Sequence, residues 1–280
     1  MNFDISFWQQ TGLDPLLLGQ PKLWITSSDP TYLVNLTGGT PSDGDSLNVY
    51  NRFNDSSFNP TSPVSNKAIY SIIGSQPHPY GYIGWYGSTT ANGYYRVGTT
   101  TDFSFLHQSG SSSTIYWIHK NNPIENTSIT KVLAATAVSS ANIGFIMTIN
   151  NVNATVRRLV LAIYKGVAGQ NVISFSPVNY YSKNIDYPIE LNSIRIDLNN
   201  SVGQDAAWWY INGKIDSVGV LNNTPSVSAT HSTQLNIGNR NSGGLRYNGY
   251  IGDFIVFNGI HDEATHLKIC NYLKQKWRIS

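Results

Sequence analysis

Short runs of apolar residues, alternating or continuous, recur along most of the chain and are separated by stretches rich in turn-forming residues. The clearest runs are 114–118, 144–149, 159–164, 193–198, 207–211 and 254–257. They are rich in β-branched and aromatic residues, a composition typical of strands. Asn-Gly pairs at 212–213 and 248–249 predict tight turns, because both central residues of a type I′ turn need positive φ. The pattern predicts an all-β chain of antiparallel strands.

One segment near the C-terminus has a helical pattern instead. Leu267, Cys270, Leu273 and Trp277 follow one another at spacings of three, three and four residues, which places them on one helix face. Asp262 is the predicted N-cap. We expect this helix to close the domain by packing Trp277 on a sheet. Cys270 is the only cysteine, so no disulfide forms within the chain, and we expect a buried thiol.

Two stretches fall outside the strand pattern. Residues 1–20 are rich in large apolar side chains and precede the first predicted strand. They form either an arm that docks into a partner or symmetry mate, or an extra strand of the same domain. Residues 35–66 are dense in Gly, Pro, Ser, Asp and Asn, which predicts an irregular excursion with one short strand at 47–50. This excursion is either a binding loop or a surface loop without a role in binding.

The chain has unusually few charged residues. They make up 12% of the sequence, about half of the roughly 25% that is usual, and 30 asparagines supply much of the polarity. The formal net charge is +2, and no basic stripe is present, so we expect no nucleic-acid partner. No apolar run approaches the roughly 18 residues of a membrane-spanning helix. The first residues also lack a signal peptide, so we expect neither membrane insertion nor classical secretion.

The C-terminal third carries four motifs. They are a strand that ends in Asn-Gly at 209–214, Ile-Gly at 237–238, Gly-Tyr-Ile-Gly-Asp at 249–253 and Tyr-Leu-Lys-Gln-Lys-Trp at 272–277. In this combination the chain resembles the concanavalin A-like lectin/glucanase superfamily, in its laminin-G-like branch and in the form found in phage virion proteins. The resemblance implies a two-sheet antiparallel jelly-roll sandwich with a short C-terminal helix, covering residues 21–280.

The carboxylates give no support for catalysis. Glucanases of this superfamily carry Glu-x-Asp-x-x-Glu on one strand, which sets a nucleophile and an acid close together. The three glutamates here, Glu125, Glu190 and Glu263, are far apart in sequence. His261 and His266 are five residues apart, whereas zinc proteases of the His-Glu-x-x-His type space them four apart on one helix face. We therefore expect solvated histidines and no catalytic residues.

Asp43 and Asp45 are the candidate metal ligands. They flank a glycine in the irregular stretch and supply oxygen atoms of the kind that calcium prefers. Laminin-G-like and lectin domains often bind calcium at a rim, so the resemblance makes calcium the one candidate cofactor. The alternative is a pair of solvated turn residues.

Trp85, Tyr86, Tyr94 and Tyr95 are the candidate glycan-binding residues. They belong to a stretch in which aromatic residues alternate with glycines more densely than one buried strand usually requires. Exposed aromatic rings pack on the apolar face of a sugar, with polar groups fixing its orientation. The alternative is a core hairpin with tyrosine hydroxyls at its edge.

These observations predict a non-enzymatic phage virion protein, namely a head fibre, a tail fibre or a capsid decoration. Its jelly-roll domain would bind a cell-surface glycan and attach the particle to its host. We expect contacts with other virion proteins through residues 1–20, and a homo-oligomer or many copies on one particle. Without a signal peptide, such a protein is made in the host cytoplasm and assembled into the virion. The alternative is a polysaccharide-acting enzyme or a cellular lectin module of the same fold.

Overall fold

The computed structural model describes residues 19–28, 32–35, 37–42, 46–52, 59–61, 69–71, 82–85, 94–121, 130–152, 156–177, 181–182, 188–239, 247 and 249–280. Within these ranges the chain forms seventeen strands, a 3₁₀ helix at Ser104–Leu106 and one α-helix, α1 (Glu263–Trp277). Neighbouring strands pair antiparallel throughout the two large sheets. The predicted all-β fold with two antiparallel sheets and a C-terminal helix is confirmed.

The larger sheet has eight strands. In spatial order, seven of them are β15 (Lys214–Val220), β14 (Asp205–Ile211), β13 (Glu190–Asp197), β7 (Ser112–Asn121), β17 (Gly249–Asn258), β5 (Tyr82–Trp85) and β4 (Ile69–Ser71). The eighth strand, β1 (Leu23–Thr26), pairs with residues 253–256 of β17, whereas β5 pairs with residues 249–251 of the same strand. Strand β17 is therefore held on one side by β7 and on the other by two shorter strands.

The second large sheet has seven strands. Six of them follow one another as β11 (Asn171–Phe175), β10 (Val156–Lys165), β9 (Ile143–Asn151), β8 (Lys131–Ala135), β16 (Leu235–Ile237) and β6 (Tyr95–Val97). Strand β12 (Tyr181–Ser182) adds to β10 beside β11. A separate pair joins β2 (Leu33–Asn35), which leads into the excursion, to β3 (Leu47–Val49) inside it, where the sequence predicts one strand at 47–50.

The hydrophobic core lies between the two large sheets. Alternate residues of β9, among them Phe145 and Met147, are fully buried in it. From the other sheet, the rings of Trp117 and Trp209 meet edge to face with centroids 5.5 Å apart. Trp208 points to the opposite face and is only half-buried, as expected for neighbouring residues of a strand. The strand alternation read from the sequence therefore builds the core.

The two Asn-Gly pairs have different roles. Asn212 and Gly213 have φ values of 51° and 81° and join β14 to β15, which confirms the predicted tight turn. The prediction for the second pair was wrong at Gly249, which is the first residue of β17. A Cβ atom at Gly249 would lie 2.5 Å from the Tyr247 hydroxyl and 2.8 Å from the Lys120 carbonyl oxygen. Close packing, not turn geometry, explains this glycine.

Helix α1 covers the outer face of the eight-stranded sheet. The Asp262 carboxylate accepts a hydrogen bond of 2.7 Å from the Thr265 amide, which confirms the predicted N-cap. Cys270, Leu273 and Trp277 are buried. The sheet residues that they pack against are Trp24, Tyr116, Ile118, Leu191, Ile255 and Phe257. In the described part of the chain, no helix is long and apolar enough to cross a membrane.

Two predictions about this helix were wrong. Leu267 is 39% exposed, because the buried stripe is centred between Cys270 and Leu273 and Leu267 lies at its margin. His266, predicted to be solvated, is fully buried, and its Nε2 lies 2.9 Å from the Ser193 hydroxyl. Burial lowers the pKa of His266 to about 3. His261 is half-buried, with its Nδ1 2.8 Å from the Tyr116 hydroxyl.

Gly252 is the point of closest approach between β17 and α1. A Cβ atom there would lie 2.4 Å from the Trp277 ring, so no larger residue fits without displacing the ring. Trp277, which the sequence predicts to pack the helix on the sheet, therefore does so against the backbone at Gly252.

Candidate functional site

The four aromatic residues that the sequence nominates for sugar binding differ in how the structure presents them. Trp85 ends β5 and pairs with Gly249, and only its backbone is described. Tyr86 lies outside the described residues. For these two positions the proposed stacking role stays a prediction.

Tyr94 and Tyr95 are packing residues. Their side chains are 6% and 2% exposed. The Tyr94 hydroxyl accepts a hydrogen bond of 2.6 Å from Arg96, whose guanidinium also lies over the ring. The Tyr95 hydroxyl donates to the Leu47 carbonyl oxygen at 2.9 Å. Neither ring offers a free face to a sugar, because both residues are buried, and Tyr95 of β6 belongs to the core between the sheets.

The calcium hypothesis stays a prediction. Asp43 and Asp45 lie outside the described residues. Within the described ranges, no three His, Cys, Asp or Glu side chains come together in a way that would hold a metal ion.

The structure contains a groove that the sequence did not indicate. It has a volume of about 350 Å³ and crosses β8, β9, β10 and β11 on the outer face of the seven-stranded sheet. Its floor consists of two rows of side chains in register across the strands. The first row is Val132, Thr148 and Val160, and the second row is Ile146, Ala162 and Ser174. These residues alternate with core residues, so the same strands build the core on one face and the groove on the other.

The floor is mainly apolar and the edges are polar. Tyr164 of β10 packs against the buried cluster of Val132, Ala135, Ala137 and Ile146. Hydroxyl groups come from Thr130, which precedes β8, and from Ser139 and Ser140, which follow it. The Ser139 hydroxyl donates a hydrogen bond of 2.7 Å to Asn142, which fixes this end of the β8–β9 loop. The groove thus combines an apolar surface with several donors and acceptors.

Asn150 lies at the end of the groove opposite this loop. The Oδ1 atom of its side chain is buried and has no hydrogen-bond partner in the structure. Buried polar atoms are nearly always paired with protein or with water. This acceptor therefore takes its hydrogen bond either from water or from the donor of a bound ligand.

The groove carries no ionised side chain. Among the described residues that line it, none is Asp, Glu, Lys, Arg or His. Arg158 faces Asn150 across the β9–β10 pair but is not among the described residues that line the groove. A ligand that carries a carboxylate or a phosphate would find no countercharge within the groove itself.

The two described glutamates do not form a catalytic pair. Glu263 is on α1, where its carboxylate accepts a hydrogen bond of 2.8 Å from Arg195. Glu190 is at the start of β13, 3.8 Å from His119. Burial lowers the pKa of His119 to about 3, so this histidine is neutral at neutral pH and the contact is not an ion pair. Glu125 lies outside the described residues.

One feature of the sequence, the apolar run of β10, is consistent with the groove. Residues 159–164 are apolar without interruption. A strand with one solvated face should alternate, so a continuous apolar run indicates that both faces are covered or that one face binds something. The outward-facing members, Val160 and Ala162, are the groove floor.

No protein-family model and no curated protein matches the sequence. Solved structures that share the fold include binding domains of botulinum neurotoxins. For the serotype G domain, the identity is 14% and the TM-score 0.51, over 91% of this chain and 51% of that one. For serotype D, the values are 10% and 0.52, over 90% and 51%.

A third structure concerns type C neurotoxin, whose cell entry depends on interaction with two ganglioside molecules. It is 14% identical with a TM-score of 0.51, over 92% of this chain and 52% of that one. The present chain spans about half the length of these neurotoxin domains. At such low identity the similarity shows the fold alone, a β-sandwich shared with these binding domains.

Proposed function

We propose that this chain is a non-enzymatic glycan-binding domain. The observation that carries the proposal is the groove across β8–β11, which has an apolar floor, hydroxyl and amide edges and no ionised group among its described lining residues. A sugar ring offers an apolar face together with several hydroxyls, so it matches both parts of this surface. Phosphate-bearing ligands do not match, because they are recognised by Arg and Lys.

The proposed ligand, a glycan, belongs to the same class as the ligand of one structural neighbour. Type C neurotoxin interacts with gangliosides during cell entry. A β-sandwich of similar fold therefore binds a glycan, which supports the same ligand class for the groove of this chain.

The absence of paired carboxylates in the described groove supports binding without turnover. Retaining and inverting glycosidases place two carboxyl groups on either side of the scissile bond. The groove has none among its described lining residues, and the described glutamates lie on β13 and α1, in the other sheet and its covering helix.

The biological setting of the proposal is a bacteriophage virion. We place the domain in a head fibre, a tail fibre or a capsid decoration, where it attaches the particle to a host-surface glycan. The support is the resemblance of the closing motif to phage examples and a surface rich in uncharged polar residues. A single site should bind weakly, with a dissociation constant on the order of millimolar, and many copies per particle would make attachment firm.

A glycan array probed with the whole chain tests the function, with one arm in calcium chloride and one in EDTA. We expect retention of at least one glycan class and no release of reducing sugar from that glycan in solution. Retention by no glycan in either arm would overturn the binding proposal, and release of reducing sugar would overturn its non-enzymatic part. The virion setting is tested separately, by mass spectrometry of purified phage particles and by blocking adsorption with the free domain.

A further inference from the structure

We propose that the groove across β8–β11 takes an uncharged hexose that bears an acetamido group, with the amide of the sugar donating to Asn150. The inference rests on the proposed glycan-binding function and names the class of sugar and the residue that selects it. Three features of the groove carry it: the unpaired acceptor, the apolar surface beside it and the absence of charge.

Asn150 Oδ1 is buried and has no partner, so it accepts a hydrogen bond from any donor that reaches it without losing one already made. A hydroxyl or an amide N–H would meet this need equally well. The choice between them depends on what surrounds the donor.

The surroundings favour the amide. Ile146 and Thr148 precede Asn150 on the same face of β9, and Val160 lies opposite Thr148. Val160 is half-buried and supplies accessible apolar surface in the groove, whereas Ile146 and Ala162 are each only 5% exposed. An acetamido group places a methyl group close to its N–H, so the methyl group contacts this apolar floor while the N–H reaches Asn150. A bare hydroxyl would leave the apolar floor covered only by water.

The charge and the size of the groove further restrict the class of sugar that fits it. The described lining has no ionised side chain, so an acidic sugar would bring a carboxylate without a countercharge. Arg158 is close enough in register to Asn150 to serve as a test of this point. The volume of about 350 Å³ lies at the lower end of the roughly 300–1,000 Å³ found for ligand pockets, which suits one or two sugar rings.

The experiment is ligand-observed NMR with the whole chain and five probes. N-acetylglucosamine and N-acetylgalactosamine are compared with glucose and galactose, which lack the acetamido group, and with N-acetylneuraminic acid, which adds a carboxylate. We expect at least one acetamido sugar to bind about tenfold more tightly than its parent hexose. We expect N-acetylneuraminic acid to bind more weakly than the neutral acetamido sugar.

Three variants assign the effect to the groove. Asn150→Val keeps a strand-forming residue of similar size but removes the acceptor, and it should weaken binding of the acetamido sugar about tenfold. Asn150→Asp keeps the acceptor and should retain binding. Arg158→Gln, the matched control on the same face, should bind like the original chain. Circular dichroism and a thermal midpoint confirm that each variant is folded.

Several results would overturn the inference. They are equal affinity for acetamido and parent sugars, unchanged binding by folded Asn150→Val, loss of binding in Asn150→Asp, or a preference for N-acetylneuraminic acid that Arg158→Gln abolishes. If Asn150→Val raises stability but leaves sugar binding unchanged, Asn150 is only an unsatisfied buried group and the inference fails. In all these cases the glycan array still decides the proposed function, because a retained glycan would then bind elsewhere.

Discussion

The ammonium of Lys276 and the carboxylate of Asp253 form a salt bridge of 2.8 Å inside the protein, with side chains 7% and 0% exposed. Asp253 also accepts hydrogen bonds from the indole N–H groups of Trp24, at 2.7 Å, and Trp277. Burial by itself raises the pKa of Asp253, but Lys276 and these donors bring it below its usual value. The carboxylate therefore ties together β1, β17 and the end of α1.

Replacing Lys276 by Met should destabilise the protein by about 3–5 kcal/mol, because it leaves the Asp253 charge buried without its partner. Urea unfolding measures the change. Lys268→Met is the matched control, since Lys268 is exposed on the same helix, and it should cost less than about 0.5 kcal/mol. Equal effects of the two substitutions would show that the buried pair adds nothing specific to stability.

Gly252→Ala should destabilise the protein by about 1–3 kcal/mol, because the new methyl group meets the Trp277 ring. A thermal or urea denaturation curve measures the loss. A stability equal to that of the original chain would mean that the helix end moves away from β17 at no cost.

Trp277→Ala should cost about 3–5 kcal/mol, the range for removing a large buried aromatic ring. The ring is 1% exposed and its indole donates to Asp253. In the double variant Gly252→Ala/Trp277→Ala, the penalty at Gly252 should vanish, because the clash has been removed. Additive penalties would contradict the contact between the two residues.

Stability should fall as the pH drops below about 6.5. Burial lowers the pKa of His107 to about 4 and the pKa values of His119 and His266 to about 3. The unfolded chain binds these protons near pH 6.5 and the folded chain does not. Above pH 6.5 these histidines do not change the free energy of unfolding. Below pH 6.5 each one lowers it by roughly 1.4 kcal/mol per pH unit, until the pH reaches the pKa of that histidine in the folded protein.

Urea unfolding at pH 7.5, 6 and 5 tests this dependence. In His266→Gln the free energy of unfolding should decline less steeply with falling pH, by the roughly 1.4 kcal/mol per pH unit that one histidine contributes. The pKa of Asp253 is lowered from its usual 3.8. Its protonation therefore affects stability only below about pH 3.8 and not between pH 7.5 and pH 5. A stability that is constant from pH 7.5 to pH 5 would contradict the buried, neutral state of these rings.

Features that depend on local sequence were predictable. The Asp262 cap, the Asn212–Gly213 turn and the burial of Cys270 and Trp277 each follow from residues a few positions apart in one element. Because each of these features depends on only a few neighbouring residues, the structure agrees with the prediction.

Features that depend on distant segments were not predictable in this way. The burial of His266 requires Ser193 of β13 to lie beneath α1, and no spacing rule connects these positions. Tyr94 and Tyr95 look like an exposed aromatic pair until β6 is placed beside β16. The groove requires four strands in register, so its floor is visible only once the pairing of β8 through β11 is known.

The position of β17 in the sheet has a consequence for synthesis on the ribosome. It pairs with β7, which ends at Asn121, and with β1, which ends at Thr26, yet it is made only when residues 249–258 emerge. Until then, both earlier strands have an open edge, and unpaired edges favour association with other chains. We expect this domain to complete its core after translation of β17, slowly and with a requirement for protection of the nascent chain.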